Sequence, residues 1–275
     1  MRSRHSAPLS LFAALALVGC AADPVTPLAN DRPSLITYGK VTPDHPEVVL
    51  LIAEIGGRPA WRCSGALIAP RKVLTAGHCT GEAGELSGMR IFTEANVQTG
   101  NNNYPFAGPN SVEATRWASH PDFRNASFSQ NDVGMITLGS DVTLPDSAYG
   151  ELPAVNALDA MKPGQRSSFT AVGYGLQRIN PVFVEGQRVR MLATPFLLKI
   201  GNGIVGSRSL LLSNNASSGG TCFGDSGGPN FIGSSNLVAG VTSFAINGNC
   251  AGTGGVFRLD RADVLAFITA EMLKP

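Results

Sequence analysis

An all-β architecture, a barrel or a sandwich, is what this sequence predicts, and three observations carry the prediction. Short alternating or apolar runs recur along the 275 residues and do not alternate with helical patterns as βαβ units would. Turn formers separate them, since 32 Gly and 18 Pro punctuate the chain. A helical period comes at the C-terminal end. Taken in order, the predicted strands are Val48 to Ile55, Gly65 to Ile68, Met89 to Thr93, Ser168 to Val172, Val189 to Ala193 and Leu237 to Ser243. Asn101-Asn102-Asn103 marks an exposed loop. Val264, Leu265, Phe267, Ile268 and Met272 largely follow helical spacing, which predicts a closing helix from Ala262 to Leu273. The length suffices for two modest cores once a leader is set aside.

Charge narrows the function. A formal net charge of +1 with 15% charged residues argues against a nucleic-acid binder, which would carry a basic stripe. The chain opens with Met1-Arg2-Ser3-Arg4, an apolar run from Leu9 to Val18, and Gly19-Cys20. A basic start before a short apolar run reads as a targeting signal, too short for a mature transmembrane helix. Residues 21 to 35 follow as a Pro-rich polar tether without periodicity. No later stretch is long enough to span a bilayer as a helix.

The segment Thr221-Cys222-Phe223-Gly224-Asp225-Ser226-Gly227-Gly228-Pro229 carries the chemistry. Glycines on both sides of Ser226 let the backbone approach a substrate and expose its N–H groups. A serine so placed can attack a carbonyl while those N–H groups stabilise the developing oxyanion. A Gly-rich surface turn is the plainer reading of such composition. The same Gly-x-Ser-x-Gly core fits the nucleophile elbow of α/β-hydrolases, whose acid and histidine follow the serine. Here all four histidines, His5, His45, His78 and His120, precede it. The order is therefore His, Asp, Ser.

Three motifs in that order resemble the trypsin-like (chymotrypsin-fold) serine proteases. Leu74-Thr75-Ala76-Gly77-His78-Cys79 is similar to the family's L-T-A-A-H-C, with glycine at the second alanine. Gln130-Asn131-Asp132-Val133-Gly134-Met135-Ile136-Thr137-Leu138 resembles its D-I-A-L-L strand, and Ser119-His120-Pro121-Asp122-Phe123 the segment before it. Gly224 to Pro229 matches G-D-S-G-G-P in full. The likeness runs from about residue 36 to the end and implies two antiparallel six-stranded β-barrels with a C-terminal α-helix. Residues 36–155 would form the first barrel and 156–275 the second with the helix, joined around Leu144 to Pro163, with the active site in the cleft between.

The resemblance also implies roles. His78 is the general base and later acid, Asp132 orients its imidazole, and Ser226 is the nucleophile. Competing acids, Asp122, Asp141, Asp146 and Asp159, open no comparable apolar strand. Gly224 and Ser226 would donate the oxyanion N–H groups, and Ser243 would support Asp132. Cys63–Cys79 and Cys222–Cys250 are the implied disulfides; sequence alone allows other pairings. Disulfides point to an oxidising compartment. Gly220 would be the base of the specificity pocket, with Ala245 and Gly255 as its other positions and Phe223 over the entrance. An uncharged base disfavours Arg or Lys, and small residues leave an open slot for apolar or aromatic side chains. Ile36-Thr37-Tyr38-Gly39 is the nearest match to the family's I-V-G-G, so cleavage after Leu35 would pair the Ile36 ammonium with Asp225. The alternative is an uncut chain using another partner for Asp225. Two departures, Gly77 and Ser243-Phe244-Ala245 in place of S-W-G, bear on efficiency or specificity.

Leu17-Val18-Gly19-Cys20 resembles the bacterial lipobox, implying a signal peptide over residues 1–19, a diacylated Cys20 and a tether or propeptide over 20–35. A secretory signal cut near Ala21 or Ala22 competes with it. Ala21 after the cysteine points to the outer membrane, so the expected location is the bacterial cell envelope, outer membrane or periplasm, with release after cleavage before Ile36. The expected activity is endopeptidase cleavage of protein or peptide substrates with apolar P1 preference, by a monomer needing no cofactor and no metal. The other reading is a catalytically silent, protease-like binding module on the cell surface.

Overall fold

Continuous apolar runs form the buried strands here, and the computed structural model describes them within residues 38–127, 130–180, 183–202 and 206–275. Residues 1–19, Cys20, the tether and Ile36 lie outside the described residues. After a short β1 (Lys40–Val41) come β2 (Val48–Ile55), β3 (Arg58–Ala69), β4 (Lys72–Thr75), a one-turn α1 (Gly77–Thr80), β5 (Gly88–Phe92), β6 (Ser111–Ser119) and β7 (Gly134–Leu138). Strands β2-β3-β4-β7-β6-β5 close an antiparallel barrel. Val48 through Ala53 are all buried, as a wholly apolar run requires. Gly56 and Gly57 both take positive φ, the conformation a tight β2–β3 hairpin demands.

The second half contributes β8 (Gly164–Gly173), β9 (Arg178–Asn180), β10 (Phe183–Glu185), β11 (Met191–Ala193), β12 (Phe196–Asn202), β13 (Gly206–Asn214), β14 (Pro229–Ile232), β15 (Val238–Ala245), β16 (Gly252–Arg258) and α2 (Ala262–Met272). The order β8-β12-β13-β16-β15-β14 returns to β8 through a β8–β14 pairing and closes a second six-stranded barrel. Strand β11 adds to β8 as a further neighbour, and β1 in turn pairs with β11. One apolar cluster joins Leu50 and Phe92 of the first barrel to Val172, Phe231 and Val241 of the second. Full burial of such a side chain contributes about 1.5–3 kcal/mol, so the shared core fixes the barrels to each other.

Both ends cross the division expected at residue 155. β1 pairs with β11 of the second barrel, Lys40 opposite Leu192. Helix α2 lies against the first barrel: Lys72 Nζ donates to the carbonyls of Glu271 and Lys274, and Arg116 pairs with Glu271. The run Val189 to Ala193 is strand only from Met191. Asn102, expected in an exposed loop, is 1% exposed. Its amide donates to Glu94 and to the Val97 carbonyl while its oxygen accepts the Tyr104 N–H, a satisfied arrangement that makes a buried amide tolerable.

Candidate active site

The strand β4 ends at Thr75, whose hydroxyl donates to the Ser64 carbonyl, and α1 then delivers His78. The Cys63–Cys79 disulfide fastens this turn to β3. A Cβ on Gly77 would stand 3.0 Å from the Phe123 ring and 3.2 Å from the Val133 N, so glycine suits the close approach of the Asp132 segment. Asp132 precedes β7 and is 0% exposed. Its Oδ1 accepts the His78 backbone N–H at 2.9 Å, and its Oδ2 lies 2.9 Å from His78 Nδ1. The Ser243 hydroxyl donates to the same Oδ2. A buried carboxylate needs such donors, and this set also fixes the imidazole plane.

Ser226 sits on a loop shaped by Gly224 (φ +96°) and Gly227 (φ +78°). A Cβ on Gly227 would lie 2.0 Å from Thr75 Oγ1, so only glycine fits. The Cys222–Cys250 disulfide, two bonds from Ser64 of the first barrel and one from within the second hold the loop. Ser64 N–H donates to the Ser226 carbonyl, Ser64 Oγ to that of Gly224, and Gly227 N–H to that of Thr242. The N–H groups of Asp225, Gly227 and Gly228 are thus consumed internally. Among the described residues no acceptor takes those of Gly224 or Ser226.

Asp225 is fully buried beneath the loop. Its two oxygens accept the N–H groups of Gly175 and Cys222, and burial pushes its carboxyl up to about 6. Its expected partner, Ile36, lies outside the described residues. Among those described, no cation hydrogen-bonds to it; Arg62 acts on it only through space.

His78, Gly224 and Ser226 line one cavity of about 600 Å³, together with Ala245, Phe244, Thr221 and Arg62. His78 is 17% exposed toward it. Gly220 and Gly255 are not among the lining residues, and a side chain lies close against each of them. The Asn214 side chain comes within 2.3 Å of where a Cβ on Gly220 would be, and the Phe244 ring within 2.3 Å for Gly255. Phe244 is the cross-strand neighbour of Gly255, so the ring folds onto the glycine as floor rather than standing clear. Phe223 is half-exposed at the rim.

The competing groups lie elsewhere. Asp122, Asp141 and Asp146 are exposed, and Asp159 pairs with Arg258 and Arg261. His45 pairs with Glu47, and His120 packs edge-on against Phe267. Cys63, His78 and Cys79 have donor atoms within 4.8 Å of one another, a metal-like grouping, but their sulfurs are joined and offer no thiolate. Among the described residues no helix is long and apolar enough to cross a membrane. Sequence reasoning missed Arg62 and Asn214, because neither belongs to a motif and both reach the site only through sheet pairing.

The family model described as Trypsin matches residues 39–262. A chymotrypsin of Phaedon cochleariae is 28% identical over 242 residues, covering 82% of this chain and 78% of that relative. Brachyurin of Leptuca pugilator is 27% identical over 192 residues, covering 68% and 77%. A solved HL collagenase superimposes with a TM-score of 0.66 at 20% identity, over 86% of this chain and 98% of that one. The chain belongs to the trypsin family of serine proteases.

Proposed function

We propose that this chain is a serine endopeptidase in which His78, Asp132 and Ser226 form the catalytic triad. The observation that carries this reading is the hydrogen-bonded arrangement of His78 on the buried Asp132, opening on the cavity that Ser226 also lines. Asp132 fixes the tautomer with Nδ1–H toward the carboxylate, leaving Nε2 to take the Ser226 proton as the hydroxyl attacks an amide carbonyl. The oxyanion then meets the two open N–H groups of Gly224 and Ser226, each worth about 3–4 kcal/mol of barrier. His78 returns the proton to the leaving amine, and water repeats the sequence on the acyl-enzyme.

For the acyl side, a small or medium apolar P1 residue suits Ala245 and the Phe244 floor, and the uncharged Gly220 offers no acid to Arg or Lys. Upstream, the reading places a lipid anchor on Cys20 in the bacterial cell envelope, and maturation before Ile36 would release the enzyme and present a new ammonium to Asp225. N-terminal sequencing of active material tests that part; a lipidated Cys20 on fully active enzyme sinks release. The central test is a fluorophosphonate probe. The native protein labels and Ser226→Ala does not; absence of labelling in matured protein would favour a binding module instead.

A further inference from the structure

The cavity holds one cation that the triad does not use. Arg62 lies in β3 beside Cys63 and lines the same cavity as His78 and Ser226. Its Nε is 3.0 Å from the position a Cβ on Gly224 would take, so the guanidinium lies against the oxyanion loop. Its Nη1 is buried and has no hydrogen-bond partner among the described residues. Among the described residues no carboxylate forms an ion pair with it. Asp225 is the acid whose field reaches it, but both oxygens of Asp225 are already occupied by backbone N–H groups. Burial penalises its charge most, and a second guanidinium, Arg188, adds repulsion; Tyr104 and Asp225 offset only part. The acid that lines the cavity, Glu85, is exposed and accepts the Glu82 N–H.

A half-buried guanidinium without a carboxylate is an incomplete pair, and the cheapest completion is an anion arriving in the cavity. The side from which it arrives follows from the proposed mechanism, on which this inference rests. His78 protonates the leaving amine, so the leaving peptide lies on the His78 side of Ser226. On that side Cys79, next to His78, is disulfide-bonded to Cys63, the chain neighbour of Arg62, and His78, Cys63 and Arg62 all line the cavity. We propose that Arg62 is a specificity residue that binds a carboxylate on the leaving-group side of the scissile bond. The carboxylate is either an acidic side chain or the C-terminus of a short leaving peptide.

Quenched fluorescent peptides with one common acyl half test it. One arm places Glu, Gln or Lys at the first two positions after the scissile bond; the other ends a short neutral leaving group in a free carboxylate or a carboxamide. A charge-assisted pair predicts kcat/KM about tenfold higher for Glu than Gln, or for carboxylate than amide, with Lys lowest. The arm that shows the ratio identifies the source. In Arg62→Gln the ratio collapses to within about twofold, while Arg62→Lys keeps part of it. Equal rates in both arms with the native protein overturn the proposal, whatever the variants do. So does a natively folded Arg62→Gln that keeps the full ratio. Peptide affinities for Ser226→Ala, read by fluorescence anisotropy, give the same comparison without turnover. A chain that cuts nothing yet prefers Glu sinks the peptidase reading alone; one that cuts every peptide alike sinks this inference alone.

Discussion

The Asp132 carboxylate has no contact with solvent, and three donors meet it there: the His78 backbone N–H, the His78 ring and the Ser243 hydroxyl. Removing Ser243's hydroxyl leaves one lone pair of a buried charge unsatisfied, a loss of about 1.5–3 kcal/mol. Ser243→Ala is therefore expected to lower kcat by about tenfold or more, with KM little changed, because in the proposed mechanism the lost contact orients the base rather than the substrate. A rise in KM at constant kcat would contradict this role. Phe244 invites a different substitution. Its ring lies where a residue-255 side chain would go, so Phe244→Ala opens the floor of the acyl-side slot. A P1 peptide library should shift from small or medium apolar residues toward Phe and Tyr. An unchanged profile would place the ring outside the selecting surface.

Among the elements, the strands that were legible are those whose burial is written in one run, such as β2 and β15, and the closing helix with its repeated apolar positions. The site was legible where local chemistry demands particular residues: glycines around Ser226, an imidazole after β4, a cysteine beside each. What the sequence hid depends on register. Phe244 over Gly255 is set by how β15 and β16 pair, and Asn214 against Gly220 by the turn that bridges Asn215 and Gly219, neither of which is written in a motif. The placement of α2 against the first barrel is of the same kind. Lys72 is 8% exposed on β4, yet its ammonium finds Thr137, the Glu271 carbonyl in the last turn of α2 and the Lys274 carbonyl just beyond it, a use invisible from the strand's own pattern. A cation at a helix C-terminus satisfies orphan carbonyls and complements the dipole. Lys72→Met keeps the stem's packing and deletes these bonds; a loss of about 2 kcal/mol is expected in urea denaturation. A midpoint equal to that of the native protein would mean that α2 docks through its apolar face alone.

At the scale of the whole molecule, the cleft exists only while both barrels hold the loop that carries Ser226, and Asp225 is the charge on which that loop rests. Burial raises its carboxyl from an ordinary 3.8 to about 6, against the pull of the Cys222 and Gly175 N–H groups and of Arg62. The folded chain then binds this proton more tightly than the unfolded one. Its contribution to stability falls as pH rises from about 4 to about 6 and stays flat above, the opposite of a salt-bridged carboxylate. Two units correspond to about 3 kcal/mol of penalty in full. Asp225→Asn cannot titrate, so native stability minus that of the variant should decline over this window, whatever constant cost the amide brings. Denaturant unfolding at intervals between pH 4 and 7 measures it, and a flat difference would show that the carboxyl is not raised. Cleavage before Ile36 adds a second arm. A new ammonium pairing with Asp225 favours its charged form, so chain beginning at Ile36 should lose the decline and gain stability at neutral pH. Should both forms decline alike, the ammonium does not reach Asp225, and the uncut chain must already hold its oxyanion loop by the Gly175 and Cys222 N–H groups.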